Sequence, residues 1–459
     1  MSRRRPATSA SSHGTTSPMT LLTALGRGLL AFALVVSAVA ATPRPLAAME
    51  IQEITTPGGL NAWLVEDNTV PIVAIKFAFE GGASQDPKGQ EGLANLLSTT
   101  LDEGAGDLDS QAFQTRLEDL SVHIGFDAGR DNFYGSMRTL TPNVDDAFEL
   151  LRLAVTSPRF DEEPVARMKR QIIAGLRSEA KDPDAIAGRR WTELAYPEHT
   201  YGRPSRGTEE TVAALSPQDL KQLHGNIFAR KGLKITVVGA INAERLAPLL
   251  DSVFGTLPEA GSLTSVSDVT MATGKMEHVA LDVPQTAIRI GLPGLKRDDP
   301  DFIPAFVMNH ILGGGVFSSW LFEEVREKRG LAYSVGSYLV PYQHSGMWMA
   351  VTGTRSDRSD ESIEVIRAQM ARMADKGPSD EELAKAKAYL TGSYALRFDT
   401  SDKIADQLLG LQVEGLGRDY IDNRNAMIEA VTLEQVRAVA ARLLKGVDPL
   451  VVTVGPEKS

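Results

Sequence analysis

The feature that most constrains the fold of this chain is an internal duplication. The segment IKFAFEGGASQDP at residues 75–87 has the same pattern as IRIGLPGLKRDDP at residues 288–300. Further along each half, FDEEPVARMKRQ resembles SDEELAKAKAYL, and the segment that ends in ITVVG at Gly239 parallels the one that ends in VVTVG at Gly455. A nearly constant number of residues separates the members of each pair, so the sequence indicates two copies of one domain.

Both copies predict the same order of secondary structure. Each begins with an apolar strand, continues through amphipathic helices, and closes with a helix leading into a β-branched strand, at residues 235–238 or 451–454. This order favours an α+β fold in which each copy is a mixed, mostly antiparallel β-sheet covered by helices. We place the copies at residues 49–256 and 277–459, joined by a small, polar linker at residues 257–276 that lacks helical periodicity.

Residues 1–48 have the composition of a secretory signal peptide. They contain five arginines and no acidic residue, and the apolar run LLAFALVVSAVA is followed by small residues up to Ala48. The run is shorter than the roughly 20 apolar residues of a membrane span, and an uncleaved anchor is the alternative. Cleavage after Ala40 or Ala48 and a start at Met19 all fit the pattern. We therefore expect a periplasmic or secreted protein that leaves the membrane after cleavage.

Charge and cysteine content narrow the class of protein further. The formal net charge is −11, and the part that follows the arginine-containing leader is still more acidic, which argues against a nucleic-acid partner. The chain has no cysteine, so neither disulfides nor thiolate metal ligands are available to it. Packing must supply its stability.

The stretch EGLANLLSTTLDEG at residues 91–104 points to a family. Its leucines fall at helical spacing, and it follows a strand and a GGAS loop, which predicts a buried helix. A strand, a GGAS loop and a helix opening Gly-Leu-Ala resemble the entry to the zinc site of the pitrilysin, insulinase and mitochondrial processing peptidase family. The resemblance covers nearly the whole chain after the leader, including the duplication. It implies two homologous domains in a clamshell arrangement.

The resemblance also implies that the metal ligands are missing. Active members carry His-x-x-Glu-His on this helix, with two zinc-binding imidazoles and a glutamate that acts as general base. The corresponding residues here are Asn95, Ser98 and Thr99, and the third ligand falls at Gly175 or Ala174. Amide and hydroxyl groups are poor zinc ligands and too weakly basic to activate water. We therefore expect no metal in this chain, and expect zinc in a partner subunit.

The second copy, in contrast, resembles the family's C-terminal domain closely over residues 309–341, NHILGGGVFSSWLFEEVREKRGLAYSVGSYLVP. In the family, an arginine and a tyrosine at the positions of Arg326 and Tyr333 hold the substrate backbone and stabilise the oxyanion. Guanidinium and phenol donors suit that role. Gly330 is predicted to end the helix in left-handed geometry. The alternative is that Arg326 is one charge on a solvated face and Tyr333 an ordinary strand residue.

Two further features of this segment carry weaker expectations. The glycines at residues 313–315 are interpreted as a permissive loop near substrate or as a plain helix–helix turn, and a phosphate loop is disfavoured because no Lys-Ser/Thr follows. Trp320 stands where relatives often have a basic residue, and we expect it to alter the specificity of the groove.

Three functional hypotheses follow from this pattern. The first is a non-catalytic, substrate-binding subunit of an exported heterodimeric zinc metalloendopeptidase, which contributes Arg326 and Tyr333 to a shared site and handles peptides or unfolded protein. The second is a peptidase-like structural or peptide-binding protein with no role in catalysis. The third, hydrolysis at a non-standard site of this chain, has no recognisable nucleophile and base to support it.

Overall fold

Two β-sheets, one in each half of the chain, organise the fold in the computed structural model, which describes residues 49–457 apart from the side chain of Val316. The predicted signal peptide lies outside the described residues. The strands of the first half are β1 (Gln52–Thr55), β2 (Asn61–Glu66), β3 (Ile72–Glu80), β4 (His123–Ala128), β5 (Asn132–Leu140) and β6 (Lys234–Gly239). Those of the second half are β7 (Met276–Ala280), β8 (Gln285–Pro293), β9 (Ala332–Tyr342), β10 (Ser345–Arg355) and β11 (Leu450–Gly455).

Helices cover both sheets. The first half contains α1 (Leu93–Ser98), α2 (Ser110–Asp119), α3 (Val144–Thr156), α4 (Glu162–Glu179), α5 (Pro183–Ala195), α6 (Glu209–Ala214), α7 (Pro217–Ile227) and α8 (Ala243–Phe254). The second half contains α9 (Phe302–Asn309), α10 (Ser359–Asp375), α11 (Asp380–Gly392), α12 (Ser401–Val413), α13 (Tyr420–Ala430) and α14 (Leu433–Leu444). Two π-helical turns, His310–Gly314 and Phe322–Glu327, lie between α9 and β9.

The two sheets have the same topology, as expected for a duplication. The first runs β1-β2-β6-β3-β5-β4 and the second β7-β11-β8-β10-β9, so β1 is the only strand without a counterpart among those described. In each sheet the closing strand is parallel to one neighbour, β2 or β7, and the other pairings are antiparallel. The α+β class with two similar halves is confirmed. The domain boundaries at residues 256/257 and 276/277 stay predictions.

Each half lends one helix to the sheet of the other half. From the first half, α5 packs on β8 and β11 through Trp191, whose ring lies where a Cβ on Gly291 would stand. From the second half, α12 packs on β3 and β6, where Leu408 joins Val238 in one apolar cluster. Gln412 on the same helix donates hydrogen bonds to the Ile235 carbonyl and the Thr236 hydroxyl. The reciprocal exchange ties the halves together through buried apolar surface.

The segment predicted as a linker has no regular secondary structure at residues 257–275. Its backbone nevertheless contacts both halves, because the Ala272 N–H donates to the Ala195 carbonyl and the Val269 N–H to the His344 carbonyl. Met271 on this segment is buried against α5. Over residues 49–457, none of the helices combines the length and the apolar character required to cross a bilayer.

Candidate functional site

Arg326 and Tyr333 are brought together by a helix end and an edge strand. The guanidinium carbon of Arg326 lies 4.7 Å from the ring centroid of Tyr333 and 4.7 Å from that of Phe322. Gly330 has φ of +58°, and its N–H donates to the Arg326 carbonyl. This is the left-handed helix end that the sequence predicts, because only glycine adopts such a φ without strain. The structure therefore places the two predicted residues side by side.

A β-bulge turns Tyr333 outward. Opposite Gly353 on β10, the strand β9 has two residues, Tyr333 and Ser334, instead of one. Both are exposed, and Tyr333 is 83% accessible to solvent although strand residues normally alternate between faces. Regular backbone pairing is interrupted at the bulge. There the Thr352 hydroxyl donates a hydrogen bond to the Ser334 carbonyl, and the Thr354 hydroxyl donates one to the Leu331 carbonyl. Bulges of this kind re-aim side chains beside functional sites.

The charges around Arg326 are paired with one another rather than with it. Glu324 accepts hydrogen bonds from Lys328 and Arg329, and these bonds lower the pKa of its carboxyl group. Lys328 also pairs with Glu323 at 2.8 Å. Arg326 forms no ion pair with any residue in the described range. The guanidinium is held between two rings with its donors uncommitted, whereas Glu323, Glu324, Lys328 and Arg329 pair with one another.

The glycine-rich segment is a packing device that fixes this region. Gly313 and Gly314 belong to the π-helical turn and Gly315 directly follows it, and none of the three has a positive φ. A Cβ on Gly313 would stand 2.4 Å from the Ser337 hydroxyl oxygen, so a side chain there would collide with β9. Asn309 completes the junction, since its Oδ1 accepts from the Ser337 hydroxyl and from the Trp348 indole N–H. The glycines are needed for close approach and not for unusual backbone angles.

Both segments that flank the site are π-helical. The turn His310–Gly314 leads out of α9, and Phe322–Glu327 carries Arg326. The π-helix is rare and is found mostly as short turns at functional sites. Its wider turn changes which side chains face the neighbouring strand. The sequence predicted a helix before Gly330 but gave no sign of this geometry.

In the first half, the residues at the positions of the metal ligands use their polar groups locally. The Ser98 hydroxyl donates to the Asn95 carbonyl at 2.8 Å, and the Thr99 hydroxyl donates to the Leu96 carbonyl at 2.9 Å. The Asn95 side-chain nitrogen is buried and has no hydrogen-bond partner among the described residues. Thr99 lies just beyond α1, which ends at Ser98. Backbone-bonded hydroxyls of this kind end or bend a helix.

The start of α1 is held by a buried aspartate. Asp86 accepts hydrogen bonds from the backbone N–H groups of Gly92 and Ala94, both at 2.8 Å. Burial raises the pKa of Asp86 to about 7, although these two bonds oppose the shift. Gly92, with φ of +92°, also packs against the Arg206 carbonyl, where a Cβ would stand 2.7 Å away. The Gly-Leu-Ala opening therefore serves the packing of α1 whether or not metal is present.

An arginine lies beside the position of the third ligand. A Cβ on Gly175 would stand 3.5 Å from the Arg206 Nη2 atom, and Arg206 pairs with Glu179 on the same helix. A guanidinium at this point repels a divalent cation. Across residues 49–457, no cluster of three or more histidine, aspartate or glutamate side chains is arranged to hold a metal ion.

Besides the π-helical geometry, two features of the site escaped sequence analysis. Arg206 is distant in sequence from the motif helix, and the bulge at Tyr333 had only the isolated Gly353 within a strand pattern as a signal. The expectation for Trp320 was wrong, because this side chain is only 3% exposed and lies under Arg372, with its N–H donated to Glu382. It supports packing behind the site and does not face a groove.

Comparison with known families agrees with this geometry. The model described as insulinase, peptidase family M16, matches residues 62–209, and the model described as peptidase M16 inactive domain matches residues 214–390. The chain belongs to the M16 peptidase family. The described fold, and the position of α1 within residues 62–209, are those expected of a family member.

One relative of this M16 chain is named as a non-peptidase homologue, and another is named as a peptidase subunit. It is 25% identical to a protein named "Non-peptidase homolog YmxG" of Helicobacter pylori over 81% of this chain and 86% of that protein. It is 21% identical to the mitochondrial-processing peptidase subunit beta of Blastocladiella emersonii, with 87% of each chain covered. A crystal structure of a peptidase M16 inactive domain from Pseudomonas fluorescens superposes with a TM-score of 0.83 at 28% identity, covering 89% of this chain and 98% of that one.

Proposed function

We propose that this chain is the non-catalytic, substrate-binding subunit of an exported zinc metalloendopeptidase that acts on peptides. Its partner is a homologous subunit that carries the zinc-binding helix, and the two form a heterodimer. The observation that carries this proposal is the contrast within one chain. The metal positions hold Asn95, Ser98, Thr99 and Gly175, whereas Arg326 is unpaired among the described residues and lies against an outward-turned Tyr333.

The chemistry of the pair suits binding of a peptide carbonyl. Zinc in the partner subunit would supply the activated water. The contribution of this chain is a set of donors, the Arg326 guanidinium and the Tyr333 hydroxyl, aimed at the carbonyl oxygen on which negative charge develops. Preorganised donors at such an oxygen are worth about 10²–10³ in kcat. Because β9 is an edge strand, its free backbone groups can also pair with an extended peptide.

Export is part of the proposal because of residues 1–48. Their arginines, apolar run and small residues fit a cleaved signal, and the absence of cysteine is compatible with any redox environment. A periplasmic or secreted peptidase pair meets short or unfolded peptides as substrates. Detection of the processed chain in the periplasmic fraction, against a cytoplasmic marker, tests this location.

The central experiment compares the single chain with the assembled pair. The purified chain alone is expected to bind no stoichiometric zinc and to cleave no peptide, while the pair does both. In the pair, Arg326→Ala is expected to lower kcat by about 10²–10³-fold, as for removal of an oxyanion donor. Arg329→Ala is the matched control, since Arg329 lies three residues after Arg326 but is committed to an ion pair with Glu324. Full activity of the single chain would overturn the proposal.

A second candidate function has one observation in its favour. The Helicobacter pylori relative is named as a non-peptidase homologue, so this chain could be a peptide-binding or structural protein outside catalysis. The same variants separate the two candidates. Unchanged turnover by the pair with Arg326→Ala would favour the structural role, provided that the variant still assembles.

A further inference from the structure

A large cavity in the second half lies apart from Arg326 and Tyr333. It has a volume of about 760 Å³ and is enclosed by α9, β9, α11, α12 and α13. Its walls include six aromatic side chains: Phe302, Phe306, Tyr338, Tyr389, Tyr394 and Tyr420. The lining also contains polar and charged side chains, and a cavity of this size that combines aromatic walls with polar groups has the character of a ligand site.

One side chain of the cavity wall is a buried cation without a counter-ion. Arg424 on α13 is 5% exposed, and its guanidinium carbon lies 4.0 Å from the ring centroid of Tyr394. Its Nη1 donates to the Leu390 carbonyl and to the Asn425 side-chain oxygen. It forms no ion pair with a residue between positions 49 and 457. Burial lowers the pKa of its guanidinium, as expected for a charge removed from water without compensation.

The other charges of the cavity do not compensate Arg424. Arg297 pairs with Glu414 at 2.7 Å, and Asp406 pairs with Lys76 at 3.1 Å, so both acidic side chains of the lining are already committed. Arg397 is exposed and has no ion-pair partner in the described part of the chain. Arg397 and Arg424 thus both line this cavity, and both lack an ion-pair partner in the described part of the chain. A buried charge is normally paired, and the open space beside Arg424 is where an anion can reach it.

The exposed part of the cavity lining combines apolar side chains with the charged side chains of Arg397, Asp406 and Glu414. Leu396 is 73% exposed, Tyr389 is 60% exposed and Tyr338 is 54% exposed, and all three line the cavity. Exposed apolar side chains grouped at an opening indicate contact with an apolar ligand. A ligand that contacts these side chains and also Arg424 combines an apolar body with a negative charge.

We propose that this cavity binds the C-terminal residue of a peptide, with its carboxylate on Arg424 and Arg397 and its apolar side chain among the aromatic rings. Arginine suits this role because its planar guanidinium matches a carboxylate. The choice of a peptide rests on the proposed function. The cavity would hold the end of a substrate or product while the chain upstream extends toward β9, which also contributes Tyr338 to the wall.

The test measures peptide binding to the isolated full chain. The probe is a fluorescein-labelled hexapeptide ending in phenylalanine, prepared as the free acid and as the C-terminal amide, and the readout is fluorescence anisotropy. The free acid is expected to bind about tenfold or more tightly than the amide, the scale of one charge-assisted hydrogen bond. Equal affinities would overturn the proposal.

Substitutions locate the binding in the cavity. Arg397→Gln and Arg424→Met are each expected to lower the affinity for the free acid to that for the amide, while Arg355→Gln, on an exposed arginine that pairs with Asp357, leaves it unchanged. Arg424→Met is expected to stay folded, because it replaces a buried cation with an apolar chain of similar size. If Arg424→Met does not fold, Arg397→Gln still tests whether the peptide acid binds in this cavity. Unchanged acid binding in Arg397→Gln would place the site elsewhere.

Octanoate distinguishes the source of the carboxylate. Displacement of the peptide acid by octanoate supports the shared carboxylate chemistry, whereas octanoate binding in the absence of any peptide binding would contradict the peptide assignment. These measurements use the chain without its partner, and the proposed function is tested by turnover in the pair. Failure of the peptide-binding proposal can therefore be distinguished from failure of the proposed function.

Discussion

The two halves share a sheet topology but use their polar groups in opposite ways. In the first half, the hydroxyls of Ser98 and Thr99 bond to carbonyls of their own helix, and Arg206 approaches the remaining ligand position. In the second half, the polar side chain of Asn309 links a helix end to two strands, and Arg326 keeps its donors free of ion pairs within the described range. We call the first arrangement closed, because the hydroxyls are bonded within their own helix. We call the second arrangement open, because the Arg326 guanidinium has no ion pair within the described range.

The difference shows how a duplicated fold can lose chemistry without losing packing. In α1 the leucines Leu93, Leu96 and Leu97 remain buried in the first core, and Asp86 still holds the N-terminus of the helix. None of these contacts involves a metal. The helix is therefore maintained by burial of apolar area, whatever stands at the ligand positions.

The largest expected effect is on the free energy of unfolding. It tests whether α5 and α12, the helices exchanged between the halves, stabilise the two sheets to the same extent. Trp191→Ala on α5 removes a fully buried indole from the second sheet and is expected to lower the free energy of unfolding by about 3–5 kcal/mol. Leu408→Ala on α12 removes a smaller side chain from the first sheet and is expected to cost about 2–5 kcal/mol. Urea unfolding followed by circular dichroism and fluorescence measures both.

Arg189→Ala is the matched control for the exchange. Arg189 is exposed on α5, and its replacement is expected to change stability by no more than about 0.5 kcal/mol. A small effect of Trp191→Ala would show that the second sheet does not depend on the helix from the first half. The reciprocal description of the fold would then be wrong for that direction.

The repeated pattern was the part of the fold most accessible from sequence. Strands such as β3 and β8 show near-continuous apolar runs, and the chain copies them at a constant offset, so class and duplication could be predicted. The exchange of α5 and α12 could not, because periodicity reports that a helix has an apolar face and not which sheet covers it. A similar limit hid the helix end at Ser98, where hydroxyl back-bonding decides the boundary.

The part of the candidate site that lies within one short segment of the chain was predictable from the sequence. Gly330 and the spacing from Arg326 to Tyr333 belong to one short segment, and the structure places this pair together. Arg206 came from a loop more than one helix away from Gly175, and only the tertiary structure brings them together. The bulge depends on register between β9 and β10, which no single strand encodes.

A smaller effect tests the open arrangement of the second half. Gly313→Ala forces a methyl group against the Ser337 hydroxyl, which is itself bonded to Asn309, and is expected to cost about 1–3 kcal/mol of stability. Gly225→Ala in the first half meets no atom within 4 Å on an exposed helix face and is expected to stabilise by roughly 1 kcal/mol. Thermal unfolding of both variants checks the signs. If Gly313→Ala is also stabilising, the approach of this turn to Ser337 does not require a glycine at residue 313.

The smallest effect tests the closed arrangement of the first half. Restoring the family's three ligands and its general base with Asn95→His, Thr99→His, Gly175→Glu and Ser98→Glu is expected to give only weak zinc binding, because Arg206 stays beside residue 175 and residue 99 lies beyond the end of α1. Adding Arg206→Ser is expected to raise the zinc affinity about tenfold by removing a repelling charge, as isothermal titration calorimetry can measure. Arg177→Ser, on an exposed arginine of α4 that pairs with Glu209, is the matched control and should leave the affinity unchanged. Tight stoichiometric zinc with Arg206 in place would show that Arg206 does not oppose zinc binding once the ligands are restored.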